Sequence, residues 1–202
     1  MRCAWANGSE AMVAYHDTEW GVPLHDDRRL FEMLTLEGAQ AGLSWSTILH
    51  RRDSYRRAFH DFDIARCATL TDRELEHRLA DAAIIRNRLK IWSVRTNAQA
   101  AQRAVEQHGS FDCYLWSLVP GAPILNRWRS PDQVPPRSQE SDALSKRLRA
   151  DGFSFVGSTI CYAFMQATGM VNDHLIGCER RDAALRQPSS APPPKTAAAS
   201  PG

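Results

Sequence analysis

Apolar residues recur along this chain mainly at the spacing of a helix that buries one face. Together with residues that start and stop helices, this spacing predicts helices over 27–41, 46–59, 72–80, 87–107, 111–118, 141–150 and 158–168. No segment keeps the alternation of β-branched and polar residues that is typical of a strand. The pattern therefore predicts an all-α protein.

Residues that start and stop helices agree with these boundaries. Thr71 and Glu74 form the Thr-x-x-Glu pattern of a capping box, and Ser110 is a favourable N-cap for the helix after it. Gly109 and Gly152 stand where helices should end, because glycine readily adopts the left-handed conformation found beyond many helix C-termini.

Two segments lack helical periodicity. Residues 120–137 are rich in proline and are predicted to form a long connecting loop. From 182 to 202 the composition shifts to Ala, Pro and Ser, which cannot bury enough apolar surface to offset the entropy lost on ordering. We therefore expect a single domain over 1–181 and a disordered tail over 182–202.

The composition is that of a small protein with one core, since 43% of its 202 residues are hydrophobic. No apolar run reaches the roughly 18 residues of a membrane span, and the N-terminus lacks the pattern of a signal peptide. Five cysteines in a chain without an export signal favour free or metal-bound thiols over disulfides. We expect a cytoplasmic monomer.

Basic side chains form three clusters, although the net charge is only +2. Each cluster could contact the phosphates of a nucleic acid, or could simply be a solvated helix face. The clusters are His50, Arg51, Arg52, Arg56 and Arg57; Arg86, Arg88, Lys90 and Arg95; and Lys146, Arg147 and Arg149.

Four residues at the two ends of the domain could bind a metal ion. His174 and Cys178 lie one helical turn apart, and Cys3 and His16 would add two ligands from the other end. Two thiolates and two imidazoles suit tetrahedral zinc, and four protein ligands leave no position for water, so such a zinc would be structural. Spacing alone leaves the site open, because the two pairs are far apart in sequence.

The remaining cysteines, Cys67, Cys113 and Cys161, sit beside apolar residues in helical segments. A free thiol in such a place usually packs as a small hydrophobic group. We expect all three in the core.

Glu37 is a candidate for chemistry, because it falls at the centre of an apolar stripe on the helix predicted over 27–41. A buried carboxylate costs several kcal/mol unless it is paired or has a task. The alternative is a structural carboxylate that caps a helix or pairs with an arginine. The stripe consists of Leu30, Met33, Leu34 and Ala41.

Four aromatic residues, Trp5, Tyr15, Trp20 and Trp45, cluster in the same N-terminal quarter as Glu37. Flat aromatic faces either stack on bases or pack in a core. A cationic base would gain further from the ring quadrupole and from a nearby carboxylate.

The segment GFSFVG, residues 152–157, lies between two predicted helices. Gly152 and Gly157 would free backbone amides to face an anion beside Ser158 and Thr159, at the start of the following helix. This is a plausible phosphate clamp, although many helix pairs are joined by glycine-containing turns that bind nothing.

Four blocks of the sequence resemble the bacterial 3-methyladenine DNA glycosylase I family, and the resemblance extends over residues 2–178. The blocks are Cys3-Ala-Trp5, YHDTEWGVP at 15–23, LFEMLTLEGAQAGLSWSTIL at 30–49, and SDALSKRLRADGFSFVGSTICYAFMQATGMVNDH at 141–174.

The resemblance implies a helix-hairpin-helix glycosylase fold with the DNA-clamping unit at 141–168. It also implies a structural zinc that joins the N- and C-terminal segments through Cys3, His16, His174 and Cys178. In this family pattern Glu37 contacts the excised base, Leu43 becomes a candidate wedge beside the pocket, and Tyr15, Trp20 and Trp45 line the pocket with Trp5 close by.

The activity implied is hydrolysis of the N-glycosidic bond of 3-methyladenine in alkylated double-stranded DNA, after the base is flipped out. No lysine nucleophile is recognisable, so the enzyme should be monofunctional and leave an abasic site. Related sequences often have an aromatic residue at Met12, which keeps 3-methylguanine open as a substrate. A non-catalytic zinc module that binds DNA is the other alternative. The family assigns no catalytic role to Asp173.

Overall fold

The structure, a computed structural model, describes residues 1–186, and the remainder of the predicted tail lies outside the described residues. Within the described residues, helix Arg180–Arg186 extends past the predicted start of that tail at 182.

Most of the described chain is helical. The α-helices are α1 Glu10–Thr18, α2 Asp27–Gln40, α3 Trp45–Leu49, α4 Arg52–Ala58, α5 Ile64–Ala68, α6 Asp72–Leu79, α7 Arg88–His108, α8 Phe111–Ser117, α9 Gln139–Ala150, α10 Ser158–Ala167 and α11 Arg180–Arg186. Short 3₁₀ helices span Ala4–Gly8, His60–Phe62 and Pro131–Gln133.

Side-chain caps explain where the predicted helices begin. The capping box of Thr71 and Glu74 is formed, and Ser110 caps α8 as expected. Helix α9 begins two residues before the predicted start, because Ser138 is the N-cap and Ser141 completes a second capping box with it.

The helix predicted over 46–59 is two helices. Ser44 caps α3, and the chain then breaks at His50 and Arg51 before α4 begins. The prediction failed because an apolar spacing can continue across a short break, whereas the break itself carries no glycine or proline that would reveal it.

Helix α2 is the centre of the core. Every residue from Leu30 to Ala39 is buried, and α2 contacts α3, α7, α8 and α10. The helix is therefore enclosed on all sides rather than along one stripe, so Glu37 is surrounded by protein. Ala41 is half-buried just beyond its end.

Two very short parallel strands contradict the prediction that strands are absent. β1 Ile124–Leu125 pairs with β2 Val171–Asn172, with Ile124 opposite Val171. This pairing fixes the proline-rich loop beside the segment that follows α10. It lies close in sequence to Asp173 and His174, and so helps to position them.

Gly169 brings the N-terminal part of the chain against the end of α10. Its φ is +70°, and a Cβ there would lie 2.3 Å from the backbone nitrogen of Pro23, so no side chain fits. Gly21 and Leu24 donate backbone hydrogen bonds to Gln166 and Thr168 in this contact.

The two ends of the domain also meet. The Glu179 amide donates to the Met1 carbonyl at 3.1 Å, and the N-terminal ammonium pairs with the Glu179 carboxylate. None of the helices in the described part of the chain combines the length and apolar character needed to cross a bilayer.

Candidate active site and metal centre

A cavity of about 360 Å³ opens between the N-terminal segment, α2 and α10, and we call it the base cavity. It brings together Glu37 and the four aromatic residues predicted around it. Its full lining is Cys3, Trp5, Met12, Tyr15, Trp20, Glu37, Gln40, Trp45, Pro131, Val134, Ala163, Gln166, Asp173 and Leu175.

Aromatic rings form much of the wall of the base cavity. The ring centroids of Trp5 and Trp20 are 4.9 Å apart at 73°, and those of Tyr15 and Trp45 are 5.0 Å apart at 44°. Tyr15 and Trp20 are buried, whereas Trp5 remains 39% exposed at the rim. Flat π faces are therefore available to a planar ligand that enters from solvent.

Glu37 contributes a buried carboxylate without a partner. Its side chain is 4% exposed, and its Oε2 has no hydrogen-bond partner among the described residues. Burial raises the pKa of Glu37 to about 8. The alternative that Glu37 is a structural carboxylate paired with an arginine is not supported among the described residues. The buried arginine Arg52 pairs with Glu19 and Glu32 instead.

A buried donor accompanies this acceptor. The Nε1 of Trp45, another residue of the cavity wall, also lacks a hydrogen-bond partner in the described part of the chain. Tyr15 lies close enough to Glu37 that its pKa is raised, first by burial and then by the Glu37 charge. Unpartnered buried polar groups cost free energy, so both point to a ligand that completes their hydrogen bonds.

Glutamine at position 37 should make the protein more stable, and more so at higher pH. Folding raises the pKa of Glu37 from 4.5 to about 8, so its stabilising contribution is present below pH 4.5 and is lost as the pH rises through 8. At 1.36 kcal/mol per unit, the loss has an upper limit of about 5 kcal/mol.

Thermal melts of the native protein and of Glu37→Gln should therefore coincide near pH 5 and diverge towards pH 8, with the variant melting higher. A constant difference across this range would show that Glu37 does not titrate as its burial requires.

Asp173 is a second buried carboxylate on the cavity wall, and it is fully paired. Its Oδ1 accepts from Asn126 Nδ2 and Trp128 Nε1, and its Oδ2 accepts from Tyr162 Oη and Gln166 Nε2, all at 2.7 Å. These four donors join the proline-rich loop to α10. Sequence reasoning could not assign this role, because the donors are distant along the chain.

Met12 lies on the same cavity wall and is buried. Its flexible side chain adapts to the shape of a ligand more readily than an aromatic ring would. The position at which related sequences often have an aromatic residue is therefore part of the cavity lining.

Cys3, His16, His174 and Cys178 form a Cys/His cluster beside the base cavity. Their ligand atoms all lie within 4.8 Å of one another, and all four residues are buried. The Cys178 sulfur is 3.4 Å from His174 Nδ1 and 3.6 Å from His16 Nε2, and the Cys3 sulfur is 3.9 Å from His174 Nδ1.

The outer hydrogen bonds of both histidines suit a metal site. His16 Nδ1 is 2.7 Å from Asp17 Oδ1, and His174 Nε2 is 3.0 Å from the Trp20 carbonyl, so the other nitrogen of each ring faces the cluster. Burial lowers the pKa of His174 to about 4, which keeps this ring neutral, but raises the pKa of Cys3 to about 11. A thiolate there requires a cation.

Two turns adjoin the helices α2 and α10, which line the base cavity, and we name them by their residues. The 41–44 turn follows α2 and holds Leu43, which is 41% exposed, after Gly42 at φ +80°. The 152–157 turn joins α9 to α10, with Gly152 at φ +92° and Gly157 as the N-cap of α10.

Among the described residues no side chain caps the start of α10, which leaves the amides around Ser158 and Thr159 available to an anion. Arg149 adds a cation here, since its Nη2 lies 3.4 Å from the place of a Cβ on Gly157. This guanidinium is exposed and has no ion-pair partner among residues 1–186.

Most basic side chains of the three clusters bind other groups of the same protein. Arg52 is buried, and it bonds Glu32 at 2.6 Å and Glu19 at 2.8 Å, so it cannot contact phosphate as its cluster predicted. Arg147 pairs with Asp151, and Arg88 pairs with Glu76. The prediction that Cys113 is in the core is also wrong, because its side chain is exposed.

The methyladenine glycosylase family model matches residues 5–181. The chain is 47% identical to DNA-3-methyladenine glycosylase 1 of Escherichia coli over 178 residues, which is 88% of this chain and 95% of that protein. It is 44% identical to DNA-3-methyladenine glycosylase of Haemophilus influenzae, over 88% and 96% of the two chains.

A solved structure of 3-methyladenine DNA glycosylase I from Staphylococcus aureus, described as the structural basis of its 3-methyladenine recognition, superimposes with a TM-score of 0.86 at 32% identity. The match covers 89% of this chain and 96% of that one. With the family model matched over most of its length, the chain belongs to the methyladenine glycosylase family.

Proposed function

We propose that this chain is a DNA glycosylase that hydrolyses the N-glycosidic bond of 3-methyladenine in alkylated double-stranded DNA and leaves an abasic site. The observation that carries the proposal is Glu37, a buried carboxyl group that faces an aromatic cavity and has no ion-pair partner among residues 1–186. Burial raises the pKa of Glu37 to about 8, and a neutral ligand would leave the group protonated. A cationic base would favour the carboxylate and supply its counter-charge.

Methylation at N3 makes the adenine of DNA cationic and weakens its glycosidic bond, so the enzyme must extrude and hold the base more than activate it. In the base cavity Tyr15 and Trp45 stack on the ring, Trp20 forms part of the buried wall, and Trp5 lies at the rim. Glu37 accepts a hydrogen bond from the exocyclic amine or the ring edge. Ring faces and carboxylate both favour the cation over unmodified adenine.

Extrusion requires the vacated stack to be filled. Leu43 is the group for this role, because it is exposed on the 41–44 turn beside the cavity and an apolar side chain can replace a base within the helix. Water then attacks the sugar. No lysine belongs to the cavity lining among the described residues, in keeping with a monofunctional enzyme.

The Cys/His cluster fits one structural zinc ion. The sulfur and nitrogen ligands of a tetrahedral zinc would lie about 3.5 Å apart, and three separations in the cluster are 3.4, 3.6 and 3.9 Å. Zinc held by these four residues would supply the positive charge that favours the thiolate form of the buried thiols. Cys3, His16, His174 and Cys178 then hold the segment that bears Trp5, Tyr15 and Trp20 against the body of the protein.

The α9, 152–157 turn and α10 unit acts as the helix-hairpin-helix element that binds a DNA phosphate. The free amides at the start of α10 and the Arg149 guanidinium support this assignment. We place the enzyme in the cytoplasm as a monomer, with alkylated duplex DNA as its partner.

Arg149→Gln should weaken duplex binding about threefold to tenfold and lower the salt dependence of binding by about one phosphate contact. Fluorescence anisotropy with a labelled duplex at several salt concentrations measures both. Arg147→Gln is the matched control, because Arg147 is already paired with Asp151 and its loss should leave the salt dependence unchanged. Equal effects of the two variants would refute the phosphate site.

Chromatography of the bases released from methylated DNA tests the function as a whole. The native protein should release 3-methyladenine, and borohydride should trap no covalent DNA adduct. Release of 3-methylguanine at a similar rate would broaden the substrate class and identify Met12 as a permissive wall. Binding of duplex DNA without release of any base would establish a non-catalytic binding module instead.

A further inference from the structure

Helix α7 contacts both the 41–44 turn region and the 152–157 turn, each through one side chain. Lys90, in its first turn, reaches the end of α2. Its Nζ donates to the carbonyl of Ala39 at 2.9 Å and to that of Ala41 at 2.6 Å. These bonds lie immediately before Leu43.

The Lys90 contact serves the geometry of the 41–44 turn. Carbonyls at a helix C-terminus lack intrahelical partners, and a cation is favourable there. Burial lowers the pKa of Lys90, yet the two carbonyls hold its ammonium in place. With Ala41 fixed and the Leu43 amide bonded to the Gln40 carbonyl at 2.6 Å, the turn has little freedom.

Asn97 makes the corresponding contact with the 152–157 turn. Its Nδ2 donates to the Ser154 carbonyl at 3.0 Å, and its Oδ1 accepts from the Ser154 amide at 2.7 Å. Asn97 is buried, and its side-chain amide bonds both the backbone carbonyl and the backbone amide of Ser154, as a neighbouring strand would. The next residue, Phe155, has φ +56°, a conformation that is costly for a bulky side chain and must be held by its surroundings.

The spacing of the two residues places them together. Seven residues advance an α-helix by almost two complete turns, so Lys90 and Asn97 lie on one face of α7. The 152–157 turn also contacts α2 directly, since a Cβ on Gly38 would lie 3.2 Å from the Phe155 Cβ. Gly38 follows Glu37, so the 152–157 turn packs against the helix that bears the carboxylate.

We propose that α7 is a positioning element that holds the Leu43 turn and the phosphate-binding turn in fixed register. Lys90 positions the first and Asn97 the second. The inference rests on the proposed function, which assigns DNA contacts to both turns. As a consequence, the 41–44 turn and the 152–157 turn already have the conformation needed for DNA before DNA binds. Lys90 and Asn97 act through these turns and do not touch the base or the reacting bond.

Lys90→Met removes the ammonium that bonds the two carbonyls and keeps most of the length of the side chain. We expect the single-turnover rate of 3-methyladenine release from saturated duplex to fall about tenfold, because small misplacements of a positioning group are costly. The dissociation constants for duplex and for free 3-methyladenine, followed by tryptophan fluorescence, should change less than about twofold. Lys90→Arg should restore most of the rate. Arg88→Met is the charge-matched control and should behave as native.

Asn97→Ala should weaken duplex binding and leave the rate of base release nearly unchanged, which is the reverse of the result expected for Lys90→Met. Duplex binding should weaken about tenfold, with a smaller salt dependence, while the rate at saturation and the affinity for free 3-methyladenine stay within about twofold of native. Gln99→Ala, on the same helix, removes a bond to the Ala68 carbonyl and serves as the control. Should Asn97→Ala fail to fold, Asn97→Asp retains the acceptor for the Ser154 amide and replaces the donor by an oxygen that repels the Ser154 carbonyl, so it should weaken duplex binding at least as much.

Combination with Leu43→Ala separates the inference from the function on which it rests. If Lys90 acts through Leu43, the double variant is no slower than the slower single variant, because the two changes are not additive. Additive losses, or a Lys90→Met enzyme with native release, would overturn the role of Lys90. A native rate for Leu43→Ala would instead overturn the wedge, and absence of base release by the native protein would overturn the proposed function.

Discussion

Replacement of Glu37 by glutamine is expected to lower kcat/KM for 3-methyladenine release by about a hundredfold or more, the loss typical of one preorganised group that stabilises charge. Glutamine keeps the size of the side chain and can still accept a hydrogen bond, but it cannot compensate a cationic base. Chromatographic measurement of the released base, with folding confirmed by circular dichroism, gives the comparison.

The pH dependence of the two proteins provides the control. In the native enzyme kcat/KM should rise with pH through about 8, because only ionised Glu37 compensates the cation and burial raises the pKa of Glu37 to about 8. The Glu37→Gln enzyme should show no such rise. Native activity in the variant, or an identical pH profile, would remove Glu37 from base recognition.

Loss of the zinc proposed for the Cys/His cluster is expected to lower the melting temperature by about 10 °C or more. The cluster joins Cys3 to His174, which are 171 positions apart along the chain. A structural zinc commonly contributes many kcal/mol to folding. Cys178→Ser should abolish stoichiometric zinc, measured by elemental analysis, and should lower the midpoint in a thermal melt.

Cys113→Ser is the matched control for this substitution, because Cys113 is exposed and lies outside the cluster. It should retain the metal and the native melting temperature. A native protein purified without stoichiometric zinc, or a Cys178→Ser variant with unchanged melting, would contradict a structural metal centre.

The helices could be predicted where a local signal marks them. Thr71, Asn87 and Ser110 each cap a helix in the structure, and glycine ends α7 at 109. Helix α1 was missed because its apolar residues face the base cavity and the cluster rather than one continuous core. The strands β1 and β2 have two residues each, too few for any alternation to be visible.

The candidate site was predictable to a different extent for each residue. Glu37 stands out in sequence because a carboxylate interrupts an apolar helix. Asp173 carries no such signal, since its four partners come from 126, 128, 162 and 166. Lys90 was assigned to a basic cluster, and its bond to Ala39 crosses 51 positions, a relation that only the packing of α7 on α2 creates.

The contacts between the segment around Cys3 and the segment 174–179 have a consequence for folding during synthesis. The segment with Trp5 is translated long before its partners, because the backbone bond from Glu179 to Met1 and the contact of Cys3 with His174 join residues at least 171 positions apart. The rim of the base cavity therefore cannot close until residue 179 has left the ribosome. A nascent chain that ends before this point lacks a finished pocket.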